Sequence, residues 1–280
     1  MSELLNKAVL CKISISQFNT KRQDSLITKE ILEERNAKRS AGNWVKNLID
    51  PKNLDSIVSI GQQARLENYR LTLPWSDEGY RILPITLFLE YQKQMKEYRN
   101  KFEVEVENFL EKWNTYVEEA KLSMGVMFNS HNYPTKEQVK NKFGFYVDIL
   151  PLPSGNDFRI NLAKEELEEM KSNVDNLVAE AEKNAMKDLW NRLSAPIRHM
   201  VEKLNKNDSI FRNSLVENVQ EIIRIIPALN ISDNIELINL VEECKVLTKH
   251  SADTLRINKN VRKDVIIQAE EILNKMKGYL

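Results

Sequence analysis

From Pro84 to Leu122 the chain carries its longest helical pattern, and this stretch restricts the fold more than any other. Its apolar residues are Phe88, Tyr91, Met95, Tyr98, Phe102, Val106, Phe109, Trp113, Tyr116 and Ala120, at gaps of 3, 4, 3, 4, 4, 3, 4, 3 and 4. That is a heptad-like seam, interrupted once between Phe102 and Val106. Charged and amide side chains fill the intervening positions. Neither Gly nor another Pro follows Pro84, which suits a first helical position where its missing N–H costs nothing. At 1.5 Å per residue the stretch makes a rod of roughly 58 Å.

Only seven Gly and eight Pro in 280 residues agree with long helices rather than a loop-rich β fold. With 42% hydrophobic and 29% charged residues the chain can bury a core, and no apolar run reaches the length of a membrane span. Lysine plus arginine equal aspartate plus glutamate at 41 each, so no global field draws the protein to nucleic acid or to a membrane. The opening Met1-Ser2-Glu3-Leu4-Leu5 reads as no secretory signal. Cys11 and Cys244 are distant in sequence, and a reduced cytoplasmic setting is favoured over a disulfide. The expectation is a cytoplasmic protein with no membrane association.

Along the chain, residues 8 to 18 alternate as a strand does, with Val9, Cys11, Ile13 and Ile15 on one side. Thr28 is placed to cap a helix ending near Gly42. A short turn over Trp44-Val45-Leu48-Ile49 follows, and then a helix through Leu54, Ile57, Val58, Ala64 and Leu66. Tyr69 to Trp75 reads as an extended connector and Ser76-Asp77-Glu78-Gly79 as a turn. Beyond the long helix, Thr135 caps a short helix, Phe143–Leu150 reads as a strand, and Asp157-Phe158-Arg159-Ile160 as its short partner. A second long helix runs from about Ala163 to Leu204, its seam Leu167, Met170, Val174, Leu177 and Ala181 continuing less cleanly to Leu193, with Pro196 expected to kink or break it. Asn207-Asp208-Ser209 marks a helix start. Pro227 ends the next helix, Ser232 caps the one after, and Val261 to Met276 forms the last.

Two long helices of similar length joined by a β insert bury their seams most economically against each other. The predicted architecture is therefore mainly α and elongated, with a long antiparallel helical pair (about 84–122 and 163–204), a small β insert and a C-terminal helical bundle. The expected segments are 1–83, 84–204 with the insert at 124–162, and 205–280.

The chain carries few residue patterns that point to chemistry. His131, His199 and His250 are scattered, with no HExxH or CxxC spacing, so no metal site is expected. The glutamates at 165, 166, 168 and 169 lie in a first helical turn, where they complement the helix dipole. Both cysteines sit in apolar patterns typical of inert thiols. No GxSxG, GxxxxGK[ST] or GxGxxG occurs, so no catalytic residue and no cofactor are expected. The aromatic seam recurs at helical spacing and reads as core rather than as a base-stacking platform.

Two surface groups stand out. Arg65, Arg70, Trp75, Tyr80 and Arg81 surround the connector and form the candidate interaction surface, since Arg and aromatic side chains make strong anchors. The competing reading has Trp75 and Tyr80 capping the helical rod. Residues 245–277 hold eight basic and four acidic side chains. There Arg256, Lys259, Arg262 and Lys263 form a candidate basic face, Arg256, Lys259 and Lys263 sharing one side if a helix reaches back that far. A solvated face or an acidic neighbour accounts for the same pattern.

Leu73-Pro74-Trp75, Gly79, Arg81-Ile82-Leu83-Pro84 and the long helix after them resemble a family of uncharacterised, largely phage-encoded proteins. The resemblance continues through Tyr133-Pro134, Pro151-Leu152-Pro153 and Asp157-Phe158-Arg159. That family is a domain of unknown function often encoded beside a MoxR-type AAA+ ATPase and a von Willebrand A protein. The resemblance implies a phage accessory protein in the host cytoplasm and supplies no catalytic residues. The combined expectation is a non-enzymatic adaptor or scaffold with protein partners, an AAA+ ATPase by resemblance only, and with room for homo-oligomers. Nucleic-acid binding in phage replication or recombination is the alternative.

Overall fold

The computed structural model describes residues 4–75, 79–155, 164–206 and 211–280. The helices in chain order are α1 (Leu4–Lys7), α2 (Ser25–Glu34), α3 (Asp55–Leu71), α4 (Phe88–Glu111), α5 (Trp113–Met124), α6 (Lys136–Lys140), α7 (Lys164–Leu204), α8 (Ser214–Leu229), α9 (Ile235–Cys244), α10 (Ala252–Ile257) and α11 (Lys259–Met276). The strands are β1 (Ala8–Ser16), β2 (Lys21–Gln23), β3 (Val45–Asn47), β4 (Leu73–Pro74), β5 (Arg81–Pro84) and β6 (Gly144–Pro151). The fold is mainly α with a small β component, as the scarcity of Gly and Pro requires. One sheet has the order β4-β5-β1-β6, and β2 pairs with β3 in a separate ribbon.

The chain forms two compact units, each assembled from separate stretches rather than from consecutive segments. The first holds residues 1–12, 69–91 and 148–280, the second 13–68 and 92–147.

In the second unit the aromatic seam is core. Phe102, Val106, Phe109 and Trp113 are buried. Their rings meet neighbours of the same unit: Phe102 lies 6.3 Å from Phe143 and 5.8 Å from Phe145, and Phe18 meets Trp113 edge-on at 5.4 Å. Such offset and edge-on pairs add about 0.5–1.5 kcal/mol each beyond their burial. The predicted single rod is corrected in two places. Pro84 is the last residue of β5, preceding a 3-10 turn over Ile85–Leu87, and not a first helical residue. The helix then breaks at Lys112, where φ and ψ are −89° and 0°, and restarts at Trp113.

In the first unit α7 packs on α8, α11 and β4. Each long helix thus has its own neighbours, α4 and α5 the rings of Phe18, Phe143 and Phe145, and α7 the helices α8 and α11 with strand β4. Burial on α7 concentrates from Val178 onward, at Ala181, Ala185, Leu189, Leu193, Ile197 and Met200, whereas Leu177 is 46% exposed. The cleaner heptad spacing of Leu167–Leu177 is therefore not the part that meets the core. Pro196 lies inside α7 and Pro227 inside α8, and both helices continue through them. Packing of the flanking apolar residues outweighs the lost backbone bond.

Caps also moved. Asp24, not Thr28, starts α2, and Asn234, not Ser232, starts α9 through a 2.8 Å bond from the Leu237 amide. The capping box at Thr135 and Gln138 is present. Residues 69–71 finish α3 instead of beginning a connector, Leu66 is exposed, and residues 45–47 pair as a strand rather than turning. The expected strand at 157–160, the helix start at 207–209 and most of the 76–79 turn lie outside the described residues.

Candidate interaction surfaces

The arginines singled out in the connector serve the fold. Arg70 bridges Glu90 and Glu221 at 2.8 Å each. Arg81 donates from Nε to the Thr72 hydroxyl at 2.7 Å and from Nη2 to the Thr72 carbonyl at 3.2 Å, and lies 4.6 Å from the Tyr69 ring centre. Arg192 of α7 reaches the same carbonyl at 2.9 Å. Burial, and after it the neighbouring Arg192 cation, pulls the Arg81 guanidinium below its ordinary value. Two part-buried cations on one buried carbonyl lock β4 to α7. Arg65 lies in the second unit and donates to the Ile15 carbonyl at 3.0 Å. Trp75 is half-buried, and Tyr80 carries the Lys12 ammonium 5.1 Å from its ring centre.

The basic face is interrupted by the backbone. Asn258 ends α10 and caps α11 by accepting from the Asn260 and Val261 amides, so Arg256 and Lys259 stand on different helices. Arg256 donates to the Phe211 carbonyl at 3.0 and 2.7 Å and to Asn213 Oδ1 at 2.9 Å, and also pairs with Asp253. Arg262 donates to the carbonyls of Leu255 and Arg256 at 2.8 Å each. These two side chains staple the C-terminal turns together around Phe211, which both overlie. Lys259 and Lys263 remain exposed.

Among the described residues no group of three or more His, Cys, Asp or Glu is placed to hold a metal ion, and no helix is long and apolar enough to cross a membrane. Cys11 and Cys244 are buried free thiols, pushed by desolvation up to about 11 and about 12.

The surface that the spacing rules missed lies on the second unit around Trp44. Asp24 organises it. Its Oδ1 accepts from the Leu26 and Ile27 amides at 3.1 and 3.2 Å, and its Oδ2 accepts from the buried Lys46 ammonium at 2.6 Å. The Asp24 amide donates to the Trp44 carbonyl at 3.0 Å, and the Trp44 amide donates to the Thr28 hydroxyl at 2.9 Å. The Trp44 backbone is thus fixed to the first turn of α2 while its side chain stays 42% exposed. Beside it, Thr28, Ile31 and Leu32 share a face of α2 at i, i+3 and i+4. With Ala41, Gly42 and Trp44 they line a cleft of about 220 Å³. Lys38 and Arg39, in the turn that leads into Ala41, are exposed and make no ion pair among the described residues.

An available signal was Asp24-Ser25 ahead of Leu26-Ile27, a capping dipeptide before an apolar pair. Trp44 itself had none, because a lone aromatic after Gly42-Asn43 belongs to no periodic pattern. No family model, no curated protein and no solved structure matches the chain.

Proposed function

We propose that the protein acts as a non-enzymatic interaction protein, an adaptor or scaffold, and that it holds its partner at the Trp44 cleft. One observation carries this reading: an exposed tryptophan whose backbone is pinned by two hydrogen bonds, set in an apolar cleft. Anchors of this kind dominate binding energy because a rigid aromatic loses little entropy on docking. The cleft falls below the roughly 300–1,000 Å³ of small-molecule sites, a size that suits one or two partner side chains better than a whole metabolite. The resemblance noted in the sequence makes an AAA+ ATPase assembly in the host cytoplasm the first partner to try.

Co-purification of the tagged chain from expressing cells, with mass spectrometry and with Trp44→Ala in parallel, tests the proposal. A stoichiometric partner retained by the parent and lost from the variant is expected. Equal recovery by both, or a parent that stays alone and monomeric through sizing and cross-linking, overturns it. The nucleic-acid alternative has lost two of its four cations to carbonyl bonds, at Arg256 and Arg262. Mobility-shift titrations on single- and double-stranded DNA at two salt concentrations separate the readings, since phosphate contacts weaken steeply with salt.

A further inference from the structure

We infer that the Trp44 cleft selects an acidic peptide carrying an apolar anchor, an inference that rests on the interaction reading above and names the class of partner. The floor of the cleft is apolar: Ile31, Leu32, Ala41 and Trp44. The turn that leads into its wall is cationic. On α2 the apolar face continues from Ile31 to Arg35 at i+4, and the chain then turns at Asn36, held at a φ of 48°. That turn leads into Lys38 and Arg39 beside the cleft wall at Ala41 and Gly42.

The acidic residues of the helix do not neutralise this turn. Glu30 stands about 200° around the helix from Thr28, on the opposite face. Glu33 and Glu34 are engaged with Lys29 at 3.7 Å and Arg35 at 3.9 Å. Asp24 is engaged by Lys46 and by the two amides it caps. The cleft therefore has an apolar floor and a wall entered through a turn with two uncompensated cations, complementary to Leu or Phe flanked by Asp and Glu. Like charges in a partner meet repulsion from the same turn, which supplies the discrimination.

The same cations beside an aromatic ring also invite a nucleic-acid strand. The aliphatic lining at Ile31, Leu32 and Ala41 favours the peptide, because base stacking uses aromatic ring faces and gains nothing from aliphatic side chains.

Gly42 supplies a clean variant. A Cβ added there meets no atom within 4 Å, and its φ of 166° is ordinary extended backbone, so Gly42→Glu adds a negative charge at a lining position of the cleft without strain. The experiment uses the full chain and two fluorescein-labelled ten-residue probes, one of Asp and Glu around two Leu and one Phe, the other with every acid replaced by Lys. Fluorescence anisotropy is expected to show the acidic probe bound at least tenfold more tightly than the basic one, with affinity falling as salt rises. Gly42→Glu and Lys38→Glu/Arg39→Glu are each expected to weaken the acidic probe at least tenfold while melting temperature stays unchanged.

Equal affinity for both probes, no binding of the acidic probe, indifference to Gly42→Glu, or tighter binding of an oligo-dT probe at the same cleft overturns the inference. The co-purification assay, repeated with Gly42→Glu, keeps the two ideas apart. Loss of the partner there, with no acidic-probe binding, removes the partner class and leaves the interaction reading standing. A partner untouched by both Gly42→Glu and Trp44→Ala removes both.

Discussion

Lys46 and Asp24 illustrate how one buried pair can hold a small ribbon and a helix start together. The ammonium is 8% exposed and sits 2.6 Å from the carboxylate. Removing one partner of such a pair leaves the other charge buried, which typically costs about 3–5 kcal/mol. Asp24→Ala is therefore expected to destabilise the protein by about 3 kcal/mol or more, measured by chemical denaturation. Lys46→Met should cost less, on the order of 1 kcal/mol, because Asp24 keeps its two amide donors. The Lys46 hydrogen bond first, and the amides after it, hold the Asp24 carboxyl below its ordinary value. The folded value is the lower one, so this stabilisation is complete above the usual carboxylate value of about 3.9 and fades as pH falls toward the depressed one. Melting curves of the parent and Asp24→Asn should differ by a constant amount above about pH 5 and converge as acid is added. Arg256 offers a second contrast. Arg256→Ala strips charged donors from the Phe211 carbonyl and should cost about 1.5–3 kcal/mol, whereas Lys259→Ala and Lys263→Ala should stay within about 0.5 kcal/mol. Comparable losses at all four cations would contradict the stapling role given to Arg256 and Arg262.

At the scale of elements, Pro196 shows packing overriding local preference. A proline inside a helix costs about 3 kcal/mol through its missing donor and its ring clash. Yet α7 runs from Lys164 to Leu204 without interruption, flanked at that point by buried Leu193, Ser194, Ile197 and Met200. Pro196→Ala should then raise stability, by up to about 3 kcal/mol, read as an upward shift in melting temperature. A neutral or destabilising result would mean that the local bend set by Pro196 is needed for α7 to fit α8 and α11. Periodicity made the existence of these helices legible, and capping chemistry placed Thr135 correctly. It misplaced Thr28 and Ser232, because several Asp, Asn, Ser and Thr residues near a helix start compete on equal local terms. The choice fell to Asp24, which has a further partner in Lys46.

At the scale of the molecule, the chain passes between its two units four times, after Lys12, Asn68, Tyr91 and Val147. Each passage falls inside a regular element, namely β1, α3, α4 and β6. Independent domains are usually joined by exposed linkers, and none of the four passages is one. Limited proteolysis is therefore expected to spare all four positions, and thermal unfolding to give one transition. Early cleavage at any passage, or two resolved transitions, would show the units to be independently stable. The sequence by itself determined the helical class, the apolar character of the aromatic seam and the burial of both cysteines, because period and composition act locally and survive any arrangement of neighbours. Only the tertiary structure decided which partners cover the two long seams, which arginines are spent on carbonyls at Thr72 and Phe211, and which aromatics, Trp44 among them, are left at the surface. Those outcomes depend on residues far apart in the chain meeting in space, as Asp24 meets Trp44 and Lys46, and no spacing rule within one segment carries that information.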